Sequence, residues 1–132
     1  MCKPGLFLIM VAIPLATVLP HNTVDDRRIT KIKIHTRVVK RLTKEKSMYE
    51  KEVETLEARV NKLKDDGADE HDIRKQTEVL QESRMMIPDT KKRLKTAYEE
   101  LEQILQNDSD LSERGEFGQA KDALEAAKAA IA

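Results

Sequence analysis

Apolar side chains recur along the body of this chain at helical spacing. Tyr49, Val53, Leu56, Val60 and Leu63 step by 4, 3, 4 and 3 residues, which keeps them on one stripe of a helix. Carried backward, the same register collects Lys46, Leu42, Val39, His35 and Ile32, so the stripe continues with Lys46 and His35 as polar interruptions. A helix from about Thr30 to Lys64 follows, roughly 50 Å long at 1.5 Å per residue. Gly67, after Asp65-Asp66, suits its C-terminus.

A second seam comes after this turn. Ile73, Leu80, Ile87, Leu94 and Leu101 recur every seven residues, with Thr77, Thr90, Ala97 and Ile104 as a companion stripe that Arg84 interrupts. Asp69 or Asp72 can cap its start. Pro88 lies inside the pattern, where a proline removes one helical hydrogen bond and crowds the preceding turn. The seven-residue phase passes through it unbroken, which predicts one long helix kinked near Met85–Pro88 rather than two helices. Turn chemistry at Asn107-Asp108-Ser109-Asp110 ends it. A third, shorter helix of about 20 residues reads Phe117, Ala120, Leu124, Ala127 and Ile131, with Ser112 or Asp110 as the cap. Gly115 and Gly118 weaken its first turns.

Short turns make successive helices antiparallel, so the expected fold is all-α, an elongated up-down-up three-helix bundle with the second helix kinked at Pro88. The lengths are unequal. The third helix is expected to cover only the part of the hairpin near Ile32 and Ile104, leaving Val53–Leu63 opposite Ile73–Leu80 as a bare two-helix arm.

Composition divides the chain in two. From Gly5 to Pro20, twelve of sixteen residues are apolar, whereas from Asp25 onward 47 of 108 are charged. Residues 1–24 therefore form an apolar extension and 25–132 a solvated helical domain. The extension has the short basic start and apolar stretch of a secretory signal, but no clean small-x-small cleavage site. Interrupted by Pro14 and bounded by Pro4 and Pro20, it is too short and too broken for a stable membrane span. A non-native start, a wrongly joined upstream exon or an appended tail are its other readings.

The overall charge is zero, yet the body is polarised. Arg27–Lys51 carries ten Lys/Arg against two Glu, and Glu52–Ala132 thirteen Lys/Arg against twenty Asp/Glu. One end can steer an acidic partner unless the two regions pair with each other. Lys31, Lys33, Arg37, Lys40, Arg41 and Lys44 are the candidate docking residues, and a plain solvated face is the competing explanation. Met85, Met86 and Pro88 form a second candidate contact at the kink, or else fill an irregular core there. Tyr49 and Tyr98 are expected to pack between helices.

Chemistry-bearing motifs are missing. There is no phosphate loop, GxSxG, HExxH, CxxC or dinucleotide fingerprint. Cys2 is the sole cysteine, and His21, His35 and His71 are widely separated, so neither a disulfide framework nor a metal site is expected. The sequence implies no enzyme and no cofactor. A basic stretch ahead of heptads imitates a basic leucine zipper, but the heptads last about two repeats before the turn. Ile32, Val38, Val39 and Leu42 also put apolar residues in the supposed DNA-facing helix, so nucleic-acid binding is not expected.

Two segments, IKIHTRVVKRLTKEKSMYEKE at 32–52 and LQESRMMIPD at 80–89, resemble the tubulin-binding cofactor A (tubulin-specific chaperone A) family. The resemblance spans about Arg27 to Ile131. The apolar extension, the two glycines of the third helix and His35 depart from the family pattern. What the resemblance implies is a small cytoplasmic protein without ATPase activity, working beside the microtubule cytoskeleton. It would take β-tubulin released from the cytosolic chaperonin and hold it until other folding cofactors join it to α-tubulin, with the kink as part of the family fold. A monomer or weak homodimer fits this reading; the alternative is a generic helical protein that dimerises through the bare arm.

Overall fold

The computed structural model describes residues 23–132, and the expectations about the apolar extension fall on positions that lie outside the described residues, except at its last two residues. Three α-helices lie among the described residues: α1 (Thr23–Asp65), α2 (Glu70–Asn107) and α3 (Gly115–Ile131), with a 3-10 turn at Ser109–Leu111 between the last two. No strand occurs among the described residues. The fold is the expected all-α bundle, with α2 running through Pro88 as a single helix.

The turn between α1 and α2 is built from the backbone. Gly67 adopts φ 68°, the left-handed conformation that glycine enters without steric cost. The Ala68 amide then donates to the Leu63 carbonyl at 3.0 Å and the Gly67 amide to that of Lys64 at 3.2 Å, closing the end of α1. Asp69 takes the expected N-cap position of α2, although its side chain makes no capping bond.

At the other end, α1 begins seven residues before the expected Thr30. Asp25 and Asp26 occupy its first turn, where carboxylates oppose the helix dipole, and Ile29 is buried one step ahead of the Ile32 from which the heptads were counted. Arg28 clamps this end. Its guanidinium donates to Asp25, to Asp108 at 3.2 Å and to both Asp110 oxygens at 2.8 Å, tying the start of α1 to the loop between α2 and α3. Asp110 is thereby engaged by Arg28 instead of capping α3. The N-cap of α3 is Arg114, not Ser112 or Asp110, and it makes no side-chain capping bond.

The hydrogen bond from Arg28 holds the Asp110 carboxyl below the ordinary carboxylate range. A group with a lowered folded-state pKa contributes stability that is complete above its unfolded value and is lost as pH falls through the folded one. Arg28→Gln is therefore expected to narrow the gap to the parent as acid unfolding is followed below about pH 4. A stability difference independent of pH in that window would show that the clamp is not electrostatic.

Burial among the described residues is divided between two clusters. The larger joins all three helices through Ile29, Ile32, Val39 and Leu42 of α1, Leu94, Ala97, Leu101, Ile104 and Leu105 of α2, Leu111 of the 3-10 turn, and Phe117, Ala120, Ala123 and Ala127 of α3. The smaller contains only Leu56, Val60 and Leu80, with Val53 packed beside them. With 43 residues α1 is about 65 Å long, and the 17 of α3 reach about 26 Å. The distal arm is thus a two-helix hairpin, as the lengths implied. Ion pairs between Glu57 and Arg84, and between Glu45 and Arg93 at 3.7 Å, bridge its two helices.

The seam departs from strict heptads where three helices meet. Thr36, not His35, is the buried residue of that turn, because α1 there faces both α2 and α3 and its buried stripe must widen. Thr36 satisfies its hydroxyl on the Ile32 carbonyl at 2.7 Å, while His35 stays half-buried with Nδ1 3.8 Å from Glu100. Ala123 is buried in place of Leu124 in α3, and Ser83 is buried beside the exposed Arg84 in α2. Ile73, Ile87 and Thr77 of the expected seam are half-buried, since no third helix covers the arm.

Thr90 stands out among the helical threonines. Thr30, Thr36, Thr43, Thr55, Thr77 and Thr96 each donate to the carbonyl four residues back. Thr90 is fully buried and its Oγ1 has no hydrogen-bond partner among the described residues. Because an unsatisfied buried hydroxyl costs about 1–3 kcal/mol, Thr90→Val is expected to raise unfolding stability by about 1–2 kcal/mol. Chemical denaturation reads this directly, and a loss instead of a gain would mean that the hydroxyl is satisfied.

Candidate functional site

The six basic candidates all lie on exposed positions of α1. Among the described residues none of them is in a salt bridge, so the negative charge elsewhere in the chain does not neutralise them by direct pairing. Five share one side of the helix. Lys33, Arg37, Lys40 and Lys44 follow one another by 4, 3 and 4 residues, with Arg41 beside them. Lys33, Arg37 and Lys40 also line a cleft against Glu116 and Gln119 of α3.

Lys31 does not join them. It lies on the opposite flank, in a cleft with His35, Glu99 and Glu100. Arg28, which belongs to the same basic stretch of sequence, is taken out of the available charge altogether by its three carboxylates. Those bonds raise its pKa further, with Asp110 the largest contributor, so it remains charged at any accessible pH. Its partners lie 80 and 82 positions away or three residues upstream, and only the last spacing could be read without the fold.

Met85, Met86 and Pro88 occupy a separate region. The pairs Glu45–Arg93 and Glu57–Arg84 set these residues level with the part of α1 beyond Lys44, on the arm. Met85 is 70% exposed, Met86 is half-buried and Pro88 is exposed. Met85 and Met86 line a shallow groove with Glu82 and Ser83. The candidate contacts therefore separate into a cationic stripe beside α3, a lone lysine on the other flank, and an apolar step on the arm.

Of the two tyrosines expected between helices, Tyr98 is the one packed against a buried cluster. Tyr49 is half-buried, and Tyr98 packs against the main cluster beside the end of α3. Burial raises the Tyr98 phenol, and the Glu102 charge adds to the shift. Among the described residues there is no group of three or more His, Cys, Asp or Glu side chains able to hold a metal ion. No helix there is long and apolar enough to cross a membrane.

The fold and its surface define a class: an elongated helical rod that presents side chains along its length, with open grooves between helices. The comparisons identify the family within that class. The sequence pattern of tubulin binding cofactor A matches residues 27–129. Human tubulin-specific chaperone A is 50% identical over 103 residues, covering 78% of this chain and 95% of that protein. Tubulin-folding cofactor A of Arabidopsis thaliana is 49% identical over 77 residues, 58% of this chain and 68% of the relative. Among solved structures, the human tubulin chaperone cofactor A superposes with a TM-score of 0.66 at 48% identity, over 76% of this chain and 98% of that one. The Arabidopsis thaliana crystal structure does so with 0.71 at 40% identity, over 78% and 97%. The chain belongs to the tubulin-binding cofactor A family.

Proposed function

We propose that this protein captures β-tubulin released from the cytosolic chaperonin and holds it in an assembly-competent form until other folding cofactors join it to α-tubulin. The observation that carries the reading, beside family membership, is the row of unpaired cations at Lys33, Arg37, Lys40, Arg41 and Lys44. Such a row attracts an acidic client at long range and sets its register on the rod. Lys31 adds to the field from the other flank. Met85, Met86 and Pro88 supply an adaptable apolar contact farther along, since thioether side chains conform to irregular surfaces.

The role needs no covalent chemistry, cofactor or metal. Binding alone keeps an aggregation-prone subunit apart until handover. The protein acts in the cytoplasm, near the microtubule cytoskeleton, as a monomer or weak homodimer.

Co-migration on a native gel or sizing column tests the proposal. The full chain is mixed with chaperonin-released β-tubulin, with α-tubulin as control. A complex with β-tubulin alone is the expected result. No complex, from a chain shown by circular dichroism to be helical, would overturn it.

A further inference from the structure

The three helices are not held alike. Charged side chains tie α1 to α2 and its C-terminal cap along the length of the rod: Arg28 with Asp108, His35 near Glu100, Glu45 with Arg93, and Glu57 with Arg84. Among the described residues no side-chain hydrogen bond or salt bridge joins α3 to either long helix. Among the described residues its direct contacts are apolar, with Glu116 near but not paired to the Lys33, Arg37 and Lys40 cations.

That contact is thin. Of the four buried residues of α3, three are alanines, Ala120, Ala123 and Ala127, and only Phe117 is large. A methyl group removes little area from water, so the anchoring falls on the Phe117 ring and on the partly buried Leu124 and Ile131, which pack against the same cluster. The helix also starts without a side-chain cap. Gly118 sits in its second turn, where a Cβ would meet nothing within 4 Å, so no close approach compensates its conformational entropy. Beneath α3 lies the aliphatic cluster of the long helices, including Val39, Leu42, Leu94 and Leu101.

We propose that α3 is a releasable latch: it opens as a unit while the α1–α2 hairpin stays folded, and the trough it uncovers accepts an amphipathic helix from a partner protein. The occupant already in the trough defines that helix. Its contacting stripe is made of small residues with an aromatic at one end and aliphatic residues along its edge and other end, as in Phe117, Ala120, Ala123, Leu124, Ala127 and Ile131. Its flank is acidic, because Lys33, Arg37 and Lys40 border the seat on the side where Glu116 now lies. Local opening of this kind is drawn from the least stable part of a fold, and it does not depend on which protein the rod chaperones.

Native-state hydrogen exchange on the full chain is the first arm of the test. The amides of Ala120, Ala123 and Ala127 are expected to exchange through an opening at least about a hundredfold more populated than the one that exposes Leu94 and Leu101. Gly118→Ala is expected to reduce the α3 opening about fivefold, the ordinary difference between the two residues in a helix, and to leave the hairpin amides unchanged. The second arm uses a fluorescent synthetic peptide of residues 112–132 added to the full chain. It is expected to bind, and to bind about fivefold more weakly to Gly118→Ala, because the resident helix then competes better. Equal protection of α3 and hairpin amides would overturn the latch. Failure of the peptide to bind, or binding indifferent to Gly118→Ala, would overturn the trough as its seat.

Discussion

Leu101→Ala is expected to lower the unfolding free energy by about 2–5 kcal/mol, the range for emptying a fully buried leucine site. Leu101 is wholly inaccessible and lies in the cluster that all three helices share. In the closed bundle, neighbours from all three helices line the site and can close little of the void, so the loss belongs in the upper half of that range. Leu80→Ala makes the same chemical change at 4% exposure in the distal cluster, where only Leu56 and Val60 are buried alongside it. There two helices alone form the walls, and water and neighbouring side chains can enter the space. The expected loss is about 2 kcal/mol, near the lower bound. Urea denaturation of both variants measures the contrast. Equal losses would show that the arm is packed as tightly as the three-helix body.

The double charge reversal Lys40→Glu with Arg41→Glu is expected to weaken capture of β-tubulin at least tenfold at low salt and to flatten its dependence on ionic strength. Both side chains are exposed and in no salt bridge, so the change removes no structural pair and the helical circular dichroism should stay as in the parent. The reversal moves the local charge by four, in the middle of a row that begins at Lys33 and ends at Lys44. Charges at the edge of an interface act chiefly on the association rate, where screening by salt is strongest. The parent and variant affinities should therefore converge as salt is raised. Unchanged affinity after reversal would remove the stripe from the interface. Lys31→Glu, on the other flank of α1, is expected to have a smaller effect than Lys40→Glu alone, an equal change of charge, which separates a local docking surface from a general loss of positive charge.

Helix identity and order were legible because they depend on local periodicity. The seven-residue phase carried α2 through Pro88, and the Asp-Asp-Gly turn marked the end of α1. The start of α1 was not legible in the same way. Arg28 acquires its role from Asp108 and Asp110, and Ile29 from the apolar cluster it joins, and these groups meet only after the chain has doubled back. Asp110 suited an N-cap by its position, yet it went to Arg28, since an ionic hydrogen bond to a guanidinium is stronger than a bond to one helix amide. Heptad counting likewise assigned His35 to the seam. A heptad describes one neighbour, and α1 in that region has two, so Thr36 with its self-satisfied hydroxyl became the buried residue.

The candidate site followed the same division. Six basic residues were evident from composition, along with the Met-Met-Ile-Pro step. Which of them act together depended on angular position around α1 and on where α3 lies: five fell on one side and Lys31 on the other. Short-range pattern in the sequence by itself determined that this chain is a set of unequal helices with a basic first helix, because helix propensity, capping and charge are properties of neighbours within a few residues. The tertiary structure alone decided which cations remain unpaired, which buried positions are polar and how lightly α3 is held. Each of these depends on groups far apart in the chain, whose proximity exists only once the helices have packed.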